Sequence, residues 1–227
     1  MPEKKTRIFL VDDHPLVRHA LADLIRQQGD LLVCGEAESV KDALKAILAK
    51  MPDLVIVDIT LDAGSGLELV KAMKAECPSV PAIVLSIHDE RLYAERAIRV
   101  GARGYVQKRE STKKIIAAIR DVLAGRLAIS REMTEAFAEK FIQGRVNEES
   151  SPIEALSDRE LEIFRLLGSG YDTRSVADRL HISIKTVQTY CSRIKEKLGL
   201  ANATELFTEA LRWNDNQVLG MRSKSAL

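Results

Sequence analysis

The chain has 227 residues, with 34 lysines and arginines against 33 aspartates and glutamates, and 46% of it is hydrophobic. That length suits one large domain or two smaller ones, and a net charge of +1 excludes a generally basic nucleic-acid coat while leaving room for a local patch. The opening MPEKKTR leads into no signal-peptide core, and no run approaches the roughly 18 apolar residues that a membrane span needs, which predicts a cytoplasmic protein without membrane attachment. Cys34, Cys77 and Cys191 are odd in number and match no zinc or redox spacing, so they read as reduced structural thiols.

Residues 7–124 alternate between two patterns. Apolar runs RIFLV (7–11), LLVCG (31–35), LVIVD (54–58), AIVLS (82–86) and RGYV (103–106) predict five strands. Amphipathic stretches near 15–28, 39–50, 66–76, 89–100 and 112–124 predict the helices between and after them. Val40, Ala43, Leu44 and Ile47 carry the helical spacing, as do Ile115, Ile116, Ile119 and Leu123. Strand and helix in alternation call for a five-stranded, doubly wound parallel sheet in the flavodoxin-like order 2-1-3-4-5, over residues 1–125. Residues 126–152 read as a linker with one short helix, started at Ser130 and carrying Met133, Phe137 and Phe141 on one side, before the polar GRVNEESSP. Residues 153–214 read as a small all-α domain, and 215–227 as a tail without pattern.

In a doubly wound sheet, ligands bind at the carboxyl ends of the strands, beside the point where strand order reverses. There the first strand ends in Asp12 and Asp13, the third in Asp58, the fourth in Ser86, and Lys108 follows the fifth. The second strand ends blandly in Cys34-Gly35. Alone, the paired acids could cap the following helix, Lys108 could be a solvated lysine and Ser86 a turn former. Together they make a site. Three clustered carboxylates need compensation, and a hard cation such as Mg²⁺ on Asp12 and Asp13 supplies it. Asp58 is then poised as a nucleophile for phosphoryl transfer, with Lys108 and Ser86 around the phosphoryl oxygens.

The helical part is charge-polarised. Residues 154–172 carry five acids and two bases, whereas 173–199 carry six bases and two acids. Val176, Ala177 and Leu180 mark a short helix, HIS (181–183) a turn with a capping serine, and a second helix follows over 184–197. Val187, Cys191, Ile194 and Leu198 form its buried side. Lys185, Thr189, Ser192 and Glu196 lie opposite, flanked by Gln188 and Arg193. Two short helices, a tight turn and a polar outer face describe a helix-turn-helix, whose second helix enters the major groove of duplex DNA.

These residues carry two resemblances. Asp12, Asp13, the stretch DITLDAGSGLEL around Asp58, Ser86, Tyr105 and Lys108 resemble the receiver domain of bacterial two-component response regulators. LSDRELEIFRLL, SVADRLHIS, KTVQTY and KLGLANATEL resemble the LuxR-type (NarL/FixJ) DNA-binding domain. The first resemblance implies phosphorylation of Asp58 by a histidine kinase, a Mg²⁺ site that includes Asp58 and the Thr60 carbonyl, and joint movement of Ser86 and Tyr105. It also makes Thr60 and His88 positions that tune phosphate lifetime, and places Asp62 and Arg109 where many receivers have proline. The second implies phosphate contacts by Lys185, Thr186 and Tyr190, and base contacts by Gln188, Thr189 and Ser192. It further implies a homodimer through the helix around Ala203–Trp213. The expected protein is therefore a non-enzymatic, phosphorylation-controlled transcription regulator. Two alternatives stand beside it: a Mg²⁺-dependent aspartyl-phosphate phosphatase, disfavoured because Asp58 lacks a second acid two residues on, and a receiver whose helical domain binds only protein.

Overall fold

The computed structural model describes residues 5–61, 64–142 and 152–224. It divides into two compact units, Met1–Val146 and Asn147–Leu227.

The first unit begins β1 (Thr6–Val11), α1 (Pro15–Arg26), β2 (Leu31–Ala37), α2 (Val40–Lys50) and β3 (Leu54–Val57). A short antiparallel pair, β4 (Thr60–Leu61) and β5 (Gly64–Ser65), precedes α3 (Gly66–Glu76). Then come β6 (Ala82–Ser86), α4 (Glu90–Val100), β7 (Gly104–Gln107), α5 (Thr112–Leu123) and α6 (Arg131–Ile142). The five long strands are parallel in the order β2-β1-β3-β6-β7, the predicted doubly wound arrangement. Strand β1 shows how sequence produces layers. Ile8 and Leu10 pack with Ala22, Ile25, Ile115 and Ile119 from α1 and α5. Phe9 and Val11 are equally buried, on the opposite face, as the two-residue period of a strand requires.

The register sets the site. Val11 pairs with Val57 where the strand order reverses, so Asp12 and Asp58 leave the sheet side by side at its carboxyl edge. The second strand does not end at Gly35 as its sequence suggested. It continues to Ala37 through a register shift in which Ile8 faces Val33 and Phe9 faces Gly35. A side chain at Gly35 would sit 2.5 Å from the Phe9 ring, so this glycine lets β2 stay in place and run on.

The segment after α5 packs back onto the first unit. The Ala128 N–H donates to the Arg103 carbonyl (2.9 Å), and the Tyr105 N–H donates to the Ala128 carbonyl (2.8 Å), so Ala128 extends the sheet edge. Met133 of α6 is buried, Arg91 of α4 pairs with Glu132 at 2.7 Å, and Lys140 pairs with Glu95. The predicted short helix thus exists, docked on α4. Its apolar stripe is used at Met133, whereas Phe141 remains exposed. Residues 143–151, most of the predicted polar linker, lie outside the described residues.

In the second unit a 3₁₀ turn (Pro152–Ala155) leads into α7 (Asp158–Gly168), α8 (Thr173–Arg179), α9 (Ile184–Leu198) and α10 (Ala203–Lys224). Ser157 and Glu160 form a reciprocal capping box on α7, and Asp172 and Ser183 cap α8 and α9. Helices α7 and α10 approach closely at Gly168, where a Cβ would lie 2.3 Å from the Ala210 carbonyl oxygen. Phe164 and Trp213 pack there at 5.8 Å between ring centroids. The stretch expected to be a patternless tail continues α10 to Lys224, since no proline interrupts it. Among the described residues no helix is long and apolar enough to cross a membrane.

Candidate phosphoacceptor site and nucleic-acid interface

Lys108 Nζ lies 2.7 Å from Asp12 Oδ2 and 2.6 Å from Asp58 Oδ2, bridging the ends of β1 and β3. Main-chain bonds hold all three: Asp12 N–H donates to the Ala37 carbonyl (3.2 Å), Asp58 N–H to the Val11 carbonyl (2.8 Å) and Lys108 N–H to the Ser86 carbonyl (2.7 Å). Asp12, Asp13, His14 and Asp58 each offer a ligand atom, and these atoms lie within 4.8 Å of one another. Asp58 Oδ1 is buried and has no hydrogen-bond partner among the described residues. Burial pushes the Asp58 carboxyl up to about 6, against Lys108, with Asp12 and Asp13 adding to the rise. At neutral pH it is still mainly ionised. Burial alone would lower the Lys108 ammonium, but Asp58 and Asp12 outweigh it and raise its pKa. Concentrated carboxylate oxygens, one of them buried and unsatisfied, are donors that fit a hard divalent cation.

Beside this cluster the His88 backbone joins the two expected switch residues. Its N–H donates to Ser86 Oγ (3.2 Å) and its carbonyl accepts from the Tyr105 hydroxyl (3.1 Å). The His88 ring hydrogen-bonds Thr60 Oγ1 at 3.1 Å and stacks on Tyr93 at 4.5 Å. Thr60 and His88, two separate positions in the sequence, are thus one contact. Tyr105 already lies inward in this structure, and burial raises its hydroxyl pKa well above the ordinary value.

In the second unit, Val187 and Ile194 of α9 are fully buried, with Cys191 and Leu198 half-buried, as the spacing predicted. Lys185, Gln188, Thr189, Ser192, Arg193 and Glu196 are exposed, and Thr186 and Tyr190 are half-buried. Thr189 Oγ1 donates to the Lys185 carbonyl (3.0 Å) and Ser192 Oγ to the Gln188 carbonyl (3.1 Å), leaving their lone pairs outward as acceptors. Ser183 caps the helix by accepting from the Thr186 N–H. The result is a short helix, a turn at Leu180–Ser183 and a polar-faced second helix.

Both halves have counterparts among known proteins. Residues 8–120 match the family model of the response regulator receiver domain, and residues 154–210 that of bacterial regulatory proteins of the luxR family. The chain belongs to the LuxR-family response regulators. It is 34% identical to the DNA-binding transcriptional activator DevR/DosR of Mycobacterium tuberculosis, over 88% of this chain and 91% of that one. It is 32% identical to the response regulator GacA of Pseudomonas aeruginosa, over 91% and 95%. A LuxR-family two-component response regulator from Aurantimonas sp. SI85-9A1 superposes with a TM-score of 0.57 at 31% identity, covering 61% of this chain and 99% of that one. RcsB from Salmonella enterica serovar Typhimurium, bound to promoter rprA in the presence of phosphomimetic BeF3⁻, does so at 0.55 and 25% identity, covering 90% and 98%.

In this LuxR-family response regulator, the fold brings Asp12, Asp13, Asp58 and Lys108 together, with Ser86 bonded through its main chain to Lys108. Asp62 lies outside the described residues. Two contributors escaped the sequence reading. His14 Nδ1 lies 2.6 Å from Asp13 Oδ1, and the His14 N–H donates to Asp12 Oδ1 (2.9 Å), so it orders both acids. Gly66 starts α3 directly behind the site, where a Cβ would lie 1.8 Å from the Asp58 carbonyl oxygen. Glycine within DITLDAGSGLEL was the available signal, but which glycine meets which backbone depends on the β3–α3 turn.

Proposed function

We propose that a histidine kinase phosphorylates this regulator on Asp58 and that the phosphorylated protein binds duplex DNA as a homodimer through α9. The observation that carries the reading is the buried Asp12–Lys108–Asp58 bridge, with Asp58 Oδ1 unpartnered among the described residues. Oδ1 attacks phosphorus, and the bond to the leaving group breaks with its electron pair going to that group: an imidazole nitrogen from a phosphohistidine, or acetate from acetyl phosphate. Asp12, Asp13, Asp58 and the Thr60 carbonyl would hold Mg²⁺, which when bound offsets charge on the phosphoryl oxygens. Lys108 balances the charge of the carboxylate before transfer and of the phosphoryl group after it.

Ser86 then has a choice of partners. When its hydroxyl turns to a phosphoryl oxygen, the bond it accepts from the His88 N–H weakens, and His88 is what holds the Tyr105 hydroxyl. Tyr105 in turn bonds Ala128 through its main chain, which gives the switch a route into the segment carrying α6. On α9, Lys185, Thr186, Tyr190 and Arg193 are assigned to phosphates, which supply affinity without sequence. Gln188, Thr189 and Ser192 are assigned to base edges. The named relatives are regulators, which favours this reading over the phosphatase alternative.

Intact-mass measurement after treatment with acetyl phosphate and Mg²⁺ tests it. Wild type should gain one phosphoryl group; Asp58→Asn, or wild type in excess EDTA, should gain none. A stoichiometric adduct in either of those cases would overturn the assignment.

A further inference from the structure

We infer that Arg18 is a positioning residue for the divalent cation, holding the β1–α1 turn from the end of β2; this rests on the metal site proposed above. Arg18 is the first-unit arginine most out of place. It is 8% exposed, on the face of α1 that otherwise buries Leu21, Ala22 and Ile25. A guanidinium there must be fully engaged, because a buried charge without partners is costly. It is engaged at all three nitrogens. Nη1 donates to the Asp12 carbonyl at 2.6 Å, Nη2 donates to Glu38 Oε1 at 2.5 Å, and Nε reaches Glu36 Oε2 at 3.4 Å.

The partners make the argument. The Asp12 N–H also donates to the Ala37 carbonyl, at 3.2 Å. Both backbone polar groups of Asp12 are therefore tied to the end of β2, one directly and one through Arg18. Its carboxylate is fixed separately, Oδ1 by the His14 N–H and Oδ2 by Lys108. A short acidic turn that must hold two like charges together is thus anchored from outside itself. Arginine suits the task because its planar fork carries donors on three nitrogens in a fixed geometry, so that it reaches a carbonyl and two carboxylates at separate points, whereas an ammonium offers a single point charge. Glu36 and Glu38 matter in the same way as the outer partners of metal ligands, orienting the group that orients the ligand. They lie past Gly35, where the sequence seemed to end the strand without interest.

The sign of the effect separates positioning from mere proximity. Removing a positive charge beside a cation site should tighten cation binding if charge were all that counted. Loss of anchoring should weaken it. Isothermal titration of the full-length protein with MgCl₂ should give about tenfold weaker affinity for Arg18→Ala, the usual scale for losing an outer partner of a ligand. Arg18→Lys, which keeps the charge and loses the fork, should also weaken it, and it serves as the deciding variant where Arg18→Ala does not fold. At saturating Mg²⁺, acetyl phosphate labelling of Asp58 should return to within about twofold of wild type, because the reacting groups themselves are untouched. Equal or tighter Mg²⁺ binding by the folded variants overturns the role of Arg18. Wild type that binds no Mg²⁺, or labels equally well in EDTA, overturns the metal site itself.

Discussion

The two units solve opposite problems with their charged residues. The receiver buries its working groups: Asp12, Asp58 and Ser86 are almost inaccessible, and Lys108, just past β7, bridges the two carboxylates. The helical unit exposes its own, with Lys185, Gln188, Thr189, Ser192 and Arg193 on the outer side of a single helix. The difference follows from the partners proposed for each. A small phosphoryl group is stabilised by fixed charges in a place with little water, where electrostatics are strong. A duplex brings its own surface, and the protein need only present side chains at its groove. A buried site must be assembled from distant positions, because one short segment cannot surround a ligand. An exposed reading face can be written along fifteen consecutive residues.

The comparison can be broken most severely at two glycines. Gly66→Ala would drive a methyl group into the Asp58 carbonyl, a backbone group with little room to move, and should cost the receiver roughly 4 kcal/mol or more. Gly168→Ala meets the Ala210 carbonyl at a longer 2.3 Å, across a helix pair that can part slightly, and should cost less. Hydrogen exchange read by mass spectrometry locates each effect. Loss of protection should be confined to residues 5–142 for Gly66→Ala and to 152–224 for Gly168→Ala. Loss across both units from either substitution would mean that they do not unfold independently.

A smaller effect comes from the buried charge. Without metal, the folded receiver keeps the Asp58 proton up to about pH 6, whereas the unfolded chain releases it near 4. Stability therefore falls as pH rises through that window and stays low above it. A difference of this size is worth on the order of 2–3 kcal/mol. In EDTA above the window, Asp58→Asn should be more stable than wild type by about that amount, and less pH-dependent, in urea unfolding. The exposed α9 substitutions Lys185→Ala and Gln188→Ala should leave the same profile unchanged.

The smallest and sharpest effects lie on α9. Gln188→Ala should relax preference at one base pair per half-site, by ~1–3 kcal/mol, when random duplexes are selected with each protein. Lys185→Ala should instead lower affinity on all duplexes and flatten its dependence on salt. Unchanged base preferences with Gln188→Ala would leave that residue as a solvated helix position.

Residue patterns were enough for some of this. Alternating apolar runs and amphipathic stretches gave the strands, the helices and the helix-turn-helix alike, because burial imposes periods of 2 and 3.6 on any chain that folds this way, and their alternation suggested the doubly wound order. Asp12, Asp13, Asp58 and Lys108 could be grouped once strand order was known, since strands of a doubly wound sheet all deliver their carboxyl ends to one rim. Other features were not legible. The role of Gly66 depends on a turn geometry, the Thr60–His88 contact on how β4 meets the loop after β6, and Arg18 on a strand that runs two residues further than its apolar run. The docking of the segment between α5 and α6 was not legible for a related reason. The helix carrying Met133 could be predicted, but that Ala128 would meet a sheet edge, and Glu132 and Lys140 partners on α4, depends on surfaces distant in sequence.

The sequence by itself determined which residues are apolar at which spacing, and through that the two domains, the layers of the first and the reading helix of the second. It also supplied every reactive group. Only the tertiary structure decided which groups meet. Asp58 became a half-satisfied buried carboxylate when register set it beside Asp12 and when Lys108 arrived from β7. Arg18 became an anchor when β2 carried Glu36 and Glu38 past Gly35. The physical reason is range: periodicity is a local property of a chain, written within a few residues. The balance of buried charge, by contrast, is settled within a few ångströms by residues far apart in sequence.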